Sequence, residues 1–231
     1  MIRDIQFSSA HNDWPELRDA VLRAEAEGYD TTWVLDHFDG TLFETGDRDL
    51  LEAFTLMGAL AEATSTIGIG SLVVNVANRH PELMALAASS VQRISGGRLR
   101  LGIGAGAAPE TAWSREHKER GIPLLPELAD RHAAVVHQIE VLRHRAPDVP
   151  IHVGVNSEQL ARIAGIHADG VNIRLSSPHC GRYLAAARDA AGDKPFDCSG
   201  WASYDDLASQ QKAVDLELDR IIICHLEPLS R

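Results

Sequence analysis

The residues best suited to chemistry stand in short polar clusters, each directly after an apolar run. Asp36-His37-Phe38 follows Thr31-Thr32-Trp33-Val34-Leu35, and Asn75, Asn78, Arg79 and His80 follow the stretch 67–74. Further along come Ala105-Gly106 with Glu110, then Asn156-Ser157, Arg174 with Ser176 and Ser177, Ser199 and Trp201, and finally His225. Ser9 and His11 hold the matching place near the N-terminus. Histidine recurs in this set, and its unperturbed pKa lies nearest neutrality, so general acid–base work is the first chemistry to consider. Asp36-His37 has the composition for it, although such a pair can equally satisfy backbone groups at a strand end. Ser157 is a good N-cap in its own right, and the free amides of the helix it opens would also attract a phosphate. Arg79-His80-Pro81 reads either as part of a site or as a solvated helix start. The glycines of 101–106 superficially offer a dinucleotide fingerprint, but Pro109 stands where the third glycine is required and no helix begins promptly. Gly104 and Gly106 would instead let a flat ligand approach the backbone. No two histidines or carboxylates show the His-Glu-x-x-His spacing at a strand end, so no metal site is expected.

These clusters need elements that bring them together, and hydrophobic periodicity supplies them. Strands are expected over 5–8, 31–35, 67–74, Leu99–Gly104, 151–153, 170–175, 195–199 and Arg220–His225. Between them lie helical patterns. In the first, Asp13 caps a stripe of Leu17, Ala20, Val21 and Ala24 that Gly28 stops. The others span 49–62, Pro81–Ile94, 127–143, 157–167, 179–191 and 205–216. Strand-then-helix repetition of this kind predicts an α/β fold, a (β/α)8 TIM barrel, with 1–231 as a single domain. An open doubly wound sheet would carry a glycine-rich turn after strand one, and Ser8-Ser9-Ala10-His11 has no glycine. In a barrel the polar clusters all fall at the C-terminal ends of the strands, where such folds place their chemistry. An eighth helix is not evident after Glu227-Pro228. Strand eight, apolar through Ile221, Ile222 and Ile223, would then expose an outer strip. That strip predicts a homodimer, or cover from the tail 226–231.

Composition narrows the partners. A formal net charge of -11 argues against nucleic acid and anionic membranes, whose dominant attraction is cationic. No apolar run approaches the roughly 18 residues of a membrane span. Met1-Ile2-Arg3-Asp4 lacks a signal-peptide pattern, and three scattered cysteines fit a reducing cytoplasm.

Asp36-His37-Phe38, Asn75-Val76-Ala77-Asn78-Arg79-His80-Pro81 and Ser95-Gly96-Gly97-Arg98-Leu99-Arg100-Leu101-Gly102-Ile103-Gly104-Ala105-Gly106 together resemble the luciferase-like oxidoreductases, particularly their deazaflavin (F420) branch. Glu116-His117, Gly121-Ile122-Pro123 and Val153-Gly154-Val155-Asn156-Ser157 through Ala168-Asp169-Gly170-Val171-Asn172 continue the resemblance, which weakens after Leu175. It implies coenzyme F420, or FMN, bound across the barrel mouth, with hydride transfer or monooxygenation on a small organic substrate. It further implies a non-prolyl cis peptide at Leu72-Val73 behind the ring and ring contacts from Gly104, Ala105 and Gly106. Asn156 and Ser157 would form the phosphate loop, with Arg174 and Ser176 from strand six. Asp36 and Asn75 would adjoin the cofactor, and His37 would be catalytic. Two departures matter. Ala107 stands where some sugar-phosphate dehydrogenases carry a carboxylate. The long insertion usual before strand five is reduced to 145–150, which implies a more open site. A flavin monooxygenase must shelter a peroxide from water, whereas a deazaflavin forms no oxygen adduct, so openness favours F420. The alternative from another class is a trimmed family member that binds a flavin without turnover.

Overall fold

Eight parallel strands close in sequence order into a barrel in the computed structural model, which describes residues 1–46, 48–227 and 229. They are β1 (Ile2–Phe7), β2 (Thr31–Val34), β3 (Gly68–Asn75), β4 (Leu99–Gly104), β5 (Ile151–Val155), β6 (Gly170–Arg174), β7 (Asp197–Ser203) and β8 (Arg220–His225). The seam pairs β1 with β8, from Ile2 opposite Arg220 to Phe7 opposite His225. Around them lie α1 (Trp14–Ala26), α2 (Ala53–Ala63), α3 (Pro81–Ile94), a five-residue α4 (Arg115–Glu119), α5 (Leu128–Arg145), α6 (Glu158–His167), α7 (Cys180–Ala191) and α8 (Leu207–Asp215). The α/β barrel read from the sequence is therefore the fold. Helix α4 is an addition within the β4–α5 loop, and among the described residues no helix follows β8. The seventh strand begins two residues later than expected and runs on through Gly200, Trp201 and Ala202. No helix of the described residues is long and apolar enough to cross a membrane.

Alternation along the strands sorts side chains into two layers. Ile5 and Phe7 join the large apolar shell between strands and helices, which Met57, Met84, Leu142 and Leu160 fill from the helix side. Asp4 and Gln6, one residue out of phase, face the barrel interior with Trp33, Ile222 and Cys224. At the N-terminal ends of the strands that interior is closed by charge. Arg220 Nη1 donates to Asp4 Oδ1 and Oδ2 at 2.7 and 2.9 Å and to Asp30 Oδ2 at 2.7 Å. Trp33 Nε1 adds a bond to Asp4 at 2.9 Å, and His152 Nε2 meets Asp197 Oδ2 at 3.1 Å. Burial outweighs Arg220 at Asp4, whose carboxyl is raised to about 6. At Asp197 burial acts the same way, but His152 and Arg220 overcome it and lower the carboxyl to about 2. A base sealed by ion pairs leaves the C-terminal mouth as the open end.

The exposed strip expected on β8 is not there. Ile221 is buried in the shell, Ile222 lies inside the barrel, and Ile223 is half-buried. Leu229 packs on the same core, its amide donating to Asn12 Oδ1 at 2.8 Å. The surface from which a homodimer was read is thus covered within one chain.

Candidate active site

The turn after β2 is tied down on both sides. The Asp36 carboxylate accepts four hydrogen bonds, from the Asn75 amide (3.0 Å), Asn78 Nδ2 (3.0 Å), and Arg79 Nη1 and Nη2 (2.8 and 2.6 Å). Arg79 is nearly buried and also holds Glu52 at the start of α2. Arg79 therefore belongs to a buried support and not to a solvated helix start. His80 does start the helix, its Nδ1 accepting the Glu82 amide at 3.3 Å.

One residue on, His37 Nδ1 lies 2.8 Å from Glu116 Oε1, and the Phe38 amide donates to Glu116 Oε2 at 2.7 Å. Glu116 is only 5% exposed. Burial pushes its carboxyl up, but the His37 hydrogen bond and charge, with the Phe38 amide, hold it below the usual range. The partners are 79 residues apart, brought together because α4 folds back over the mouth. Its next residue, His117, sits 2.7 Å from Asn78 Oδ1 and 3.1 Å from Asn75 Nδ2, and burial lowers its pKa. Phe43 and Trp113 flank the His37 ring at 5.5 and 6.2 Å.

The floor of the mouth is β3. The Leu72–Val73 peptide is cis, as the resemblance implied, and the β3–β4 register shifts between Ser71 and Val74. Gln6 Nε2 donates to the Leu72 carbonyl at 3.0 Å, while the Cys224 thiol donates to Gln6 Oε1 at 3.0 Å. The glycines answer to this bulge. A Cβ on Gly104 would stand 2.6 Å from Val73 Cγ2, and one on Gly154 would stand 2.7 Å from Val73 Cγ1. Gly106 has φ +71°, and a Cβ there would meet Asn75 Oδ1 at 2.5 Å. The space a side chain would take at Gly104 and Gly106 is thus filled by Val73 and Asn75, while the backbone of both lines the cavity.

Above the floor lies a cavity of about 590 Å³. Asp36, His37, Leu72, Val73, Asn75, Gly104, Ala105, Gly106, Asn156 and Arg174, all singled out in the sequence, line it. Ser157 and Ser176 do not. Ser157 caps α6, its Oγ accepting the Leu160 amide at 3.2 Å, and Ser176 Oγ accepts Arg174 Nε at 2.8 Å. The Arg174 guanidinium lies 5.1 Å over the Trp201 ring. Gln6, Phe43, Trp113, Glu116, Arg131, His132 and Leu226 line the cavity without having been named as site residues from the sequence. Among the described residues the wall holds two carboxylates, Asp36 and Glu116, and both are engaged by cations or donors. Arg131 and Arg174 balance them, so the lining is formally neutral in a chain of net charge -11.

A 5,10-methylenetetrahydromethanopterin reductase from Archaeoglobus fulgidus is 28% identical over 177 residues, covering 71% of this chain and 50% of the relative. An F420-dependent glucose-6-phosphate dehydrogenase from Amycolatopsis mediterranei is 28% identical over 181 residues, covering 67% and 52% respectively. The chain spans about half the length of these curated relatives. Among solved structures, an F420-dependent secondary alcohol dehydrogenase in complex with an F420-acetone adduct shares the fold with a TM-score of 0.69. The identity is 19%, over 94% of this chain and 74% of that one. The family described as luciferase-like monooxygenase matches residues 3–193. That span takes in every residue lining the cavity except Trp201 and Leu226, and the chain belongs to the luciferase-like monooxygenase family.

Proposed function

We propose that this chain is an oxidoreductase that binds coenzyme F420, or FMN in its place, across the barrel mouth and acts on a small organic substrate. The observation that carries the reading is the His37–Glu116 pair set with the Leu72–Val73 bulge in the lining of one cavity. A volume of about 590 Å³ lies within the roughly 300–1,000 Å³ typical of cofactor sites. The wall fits such a group: apolar at Leu72 and Val73 for a ring, backbone at Gly104, Ala105 and Gly106 for its edge, and polar at Asn156 and Arg174 for its tail. Relatives and a solved neighbour that are F420-dependent by name support F420 ahead of FMN.

The bound group supplies a hydride. The chain supplies the proton. With Nδ1 committed to Glu116, His37 holds its transferable proton on Nε2, and the ionised carboxylate balances the imidazolium charge. Asp36 and the Asn75–Arg79 segment keep the turn in place, while Phe43 and Trp113 flank the ring. Homodimer formation remains part of this reading, through the exposed Leu83, Leu86 and Ile94 on α3. A monomer at micromolar concentration by sedimentation would refute that element.

Equilibrium titration with F420 and FMN, with oxygen consumption recorded, tests the core of the proposal. The expected result is F420 binding without oxygen uptake, followed by single-turnover hydride transfer to a carbonyl or activated alkene. Tight FMN binding with substrate-free oxygen uptake would reverse the cofactor choice, and binding of neither would sink the reading. A second reading, binding without turnover, is favoured by the short 146–150 connection between α5 and β5. Hydride transfer in a single turnover would eliminate it.

A further inference from the structure

We infer that His132 makes recognition of the cofactor's phosphate proton-linked, the ring taking up a proton as the anion binds. This rests on the cofactor reading above and adds a residue and a regulation to it. His132 lies on α5, is 3% exposed and borders the cavity, and neither ring nitrogen makes a hydrogen bond of good geometry, the Gln159 side chain on α6 being the polar neighbour that bears on it. Buried polar atoms are satisfied almost without exception, so a cavity-lining ring with a nitrogen left open marks the place of a ligand atom.

The surroundings identify its charge. Arg131, the preceding residue, lines the same cavity, its Nη1 anchored on the carbonyls of Leu125 and Pro126 at 2.9 and 2.7 Å. Asn156 lines it from the end of β5, just before the N-terminus of the ten-residue α6. The cavity's two carboxylates are elsewhere, on the β2 turn and α4, and are occupied by Arg79 and His37. Cation, helix N-terminus and an imidazole with a nitrogen left open, all lining one cavity, fit an anion, and both candidate cofactors carry a phosphate.

The groups acting on the ring set the sign. Burial and then the charge of Arg131 lower the pKa of His132, while hydrogen bonding from the Gln159 side chain on α6 favours the charged form. The other charged or titratable residues of the lining, Asp36, His37, Glu116, His117 and Arg174, are not among the groups that act on the ring. The neutral ring therefore prevails near neutrality in the free protein. A phosphate beside it stabilises imidazolium and raises the pKa of the bound form. Affinity gained this way is complete below the free-state pKa and is lost as pH rises through the bound-state value.

The test compares phosphate-bearing and phosphate-free ligands by calorimetry in buffers of different ionisation enthalpy: FMN against riboflavin, and F420 against its deazaflavin riboside lacking the phosphodiester. A pH of about 7.5 keeps the FMN phosphate essentially fully ionised. Proton uptake is expected with the phosphate-bearing member only. His132→Gln should abolish it and weaken that member by roughly 10- to 100-fold, leaving the phosphate-free ligand unchanged. The His132 ring of the unmodified protein, followed by NMR with inorganic phosphate, supplies a reading that needs no variant. A saturable shift, removed by competition with FMN or F420, is the expected outcome. Equal proton uptake in His132→Gln, or phosphate binding that does not compete with the cofactor, would overturn the inference while leaving the cofactor reading intact. Phosphate acting on His132 in a protein that binds neither flavin nor deazaflavin would uphold the anion subsite and remove the cofactor. Silence to every probe would overturn both.

Discussion

Replacing Glu116 by Gln isolates the role assigned to the His37 pair. The amide oxygen still accepts the Phe38 amide, so the turn keeps its anchor, but the negative charge 2.8 Å from His37 Nδ1 is gone. A hydrogen bond to a charged group is worth about 1.5–3 kcal/mol. If that stabilisation is expressed in the imidazolium, proton donation slows by about 10- to 150-fold, at roughly 1.4 kcal/mol per tenfold. The assay is single-turnover oxidation of reduced cofactor, at saturating cofactor and across pH, with cofactor affinity measured separately. The expected signature is a lower rate constant with little change in affinity. Adding Glu116→Gln to His37→Gln should cause no further loss, because the carboxylate acts through the ring. In His37→Gln the Glu116 carboxyl should titrate higher, since burial then meets less opposition. A single-turnover rate within twofold of the unmodified protein would refute the reasoning and leave Glu116 as an anchor of the loop.

Asp36→Asn, assayed by thermal unfolding, should destabilise by about 3 kcal/mol, since Arg79 loses its buried counter-charge; a loss of cofactor affinity at unchanged stability would instead make Asp36 a ligand contact. Gly104→Ala should cost about 1–3 kcal/mol by driving a methyl against Val73 Cγ2, and Val73→Ala in the same chain should recover part of it, as favourable coupling in a double-mutant cycle. Acid unfolding should report Asp197, whose carboxyl is lowered to about 2. Its contribution, about 2 kcal/mol from the difference to the ordinary 3.8, is present above the unfolded value and lost as pH falls through the folded one. Asp197→Asn should therefore flatten the acid limb of stability. Asp4, raised to about 6, acts in the opposite sense, favouring the folded state at low pH and losing that contribution as pH rises through about 6.

The sequence was most legible where a local rule decides the structure. Pro81 and Gly96 bracket α3, and the bounds of α3, β4 and β8 are those read from periodicity. Strand β7 was harder, because Pro195 drew its start too early and Gly200 obscured its continuation between Ser199 and Trp201. Helix α4 spans too few residues to show a periodic stripe. The Asp-His turn was visible as a candidate, but its partners Arg79 and Glu116 lie 43 and 79 residues away, and no local spacing links such distances. His132 left no signal: within an amphipathic helix, a buried histidine and a satisfied core residue look alike. Of the two outcomes read from the apolar face of β8, cover from the tail is the one Leu229 supplies, and the strand alone could not decide between them.

The double anchoring of the His37 turn also bears on how a ligand arrives. Asp36 is fastened to the β3 loop and Phe38 to Glu116, so the segment between them is ordered without a ligand. A loop that must be ordered on binding takes a share of the interaction free energy for its lost freedom and adds a slow step to association. Neither charge falls on this turn. Association should then follow a single phase, linear in ligand concentration, with selectivity expressed in how long a ligand stays and not in how quickly it enters.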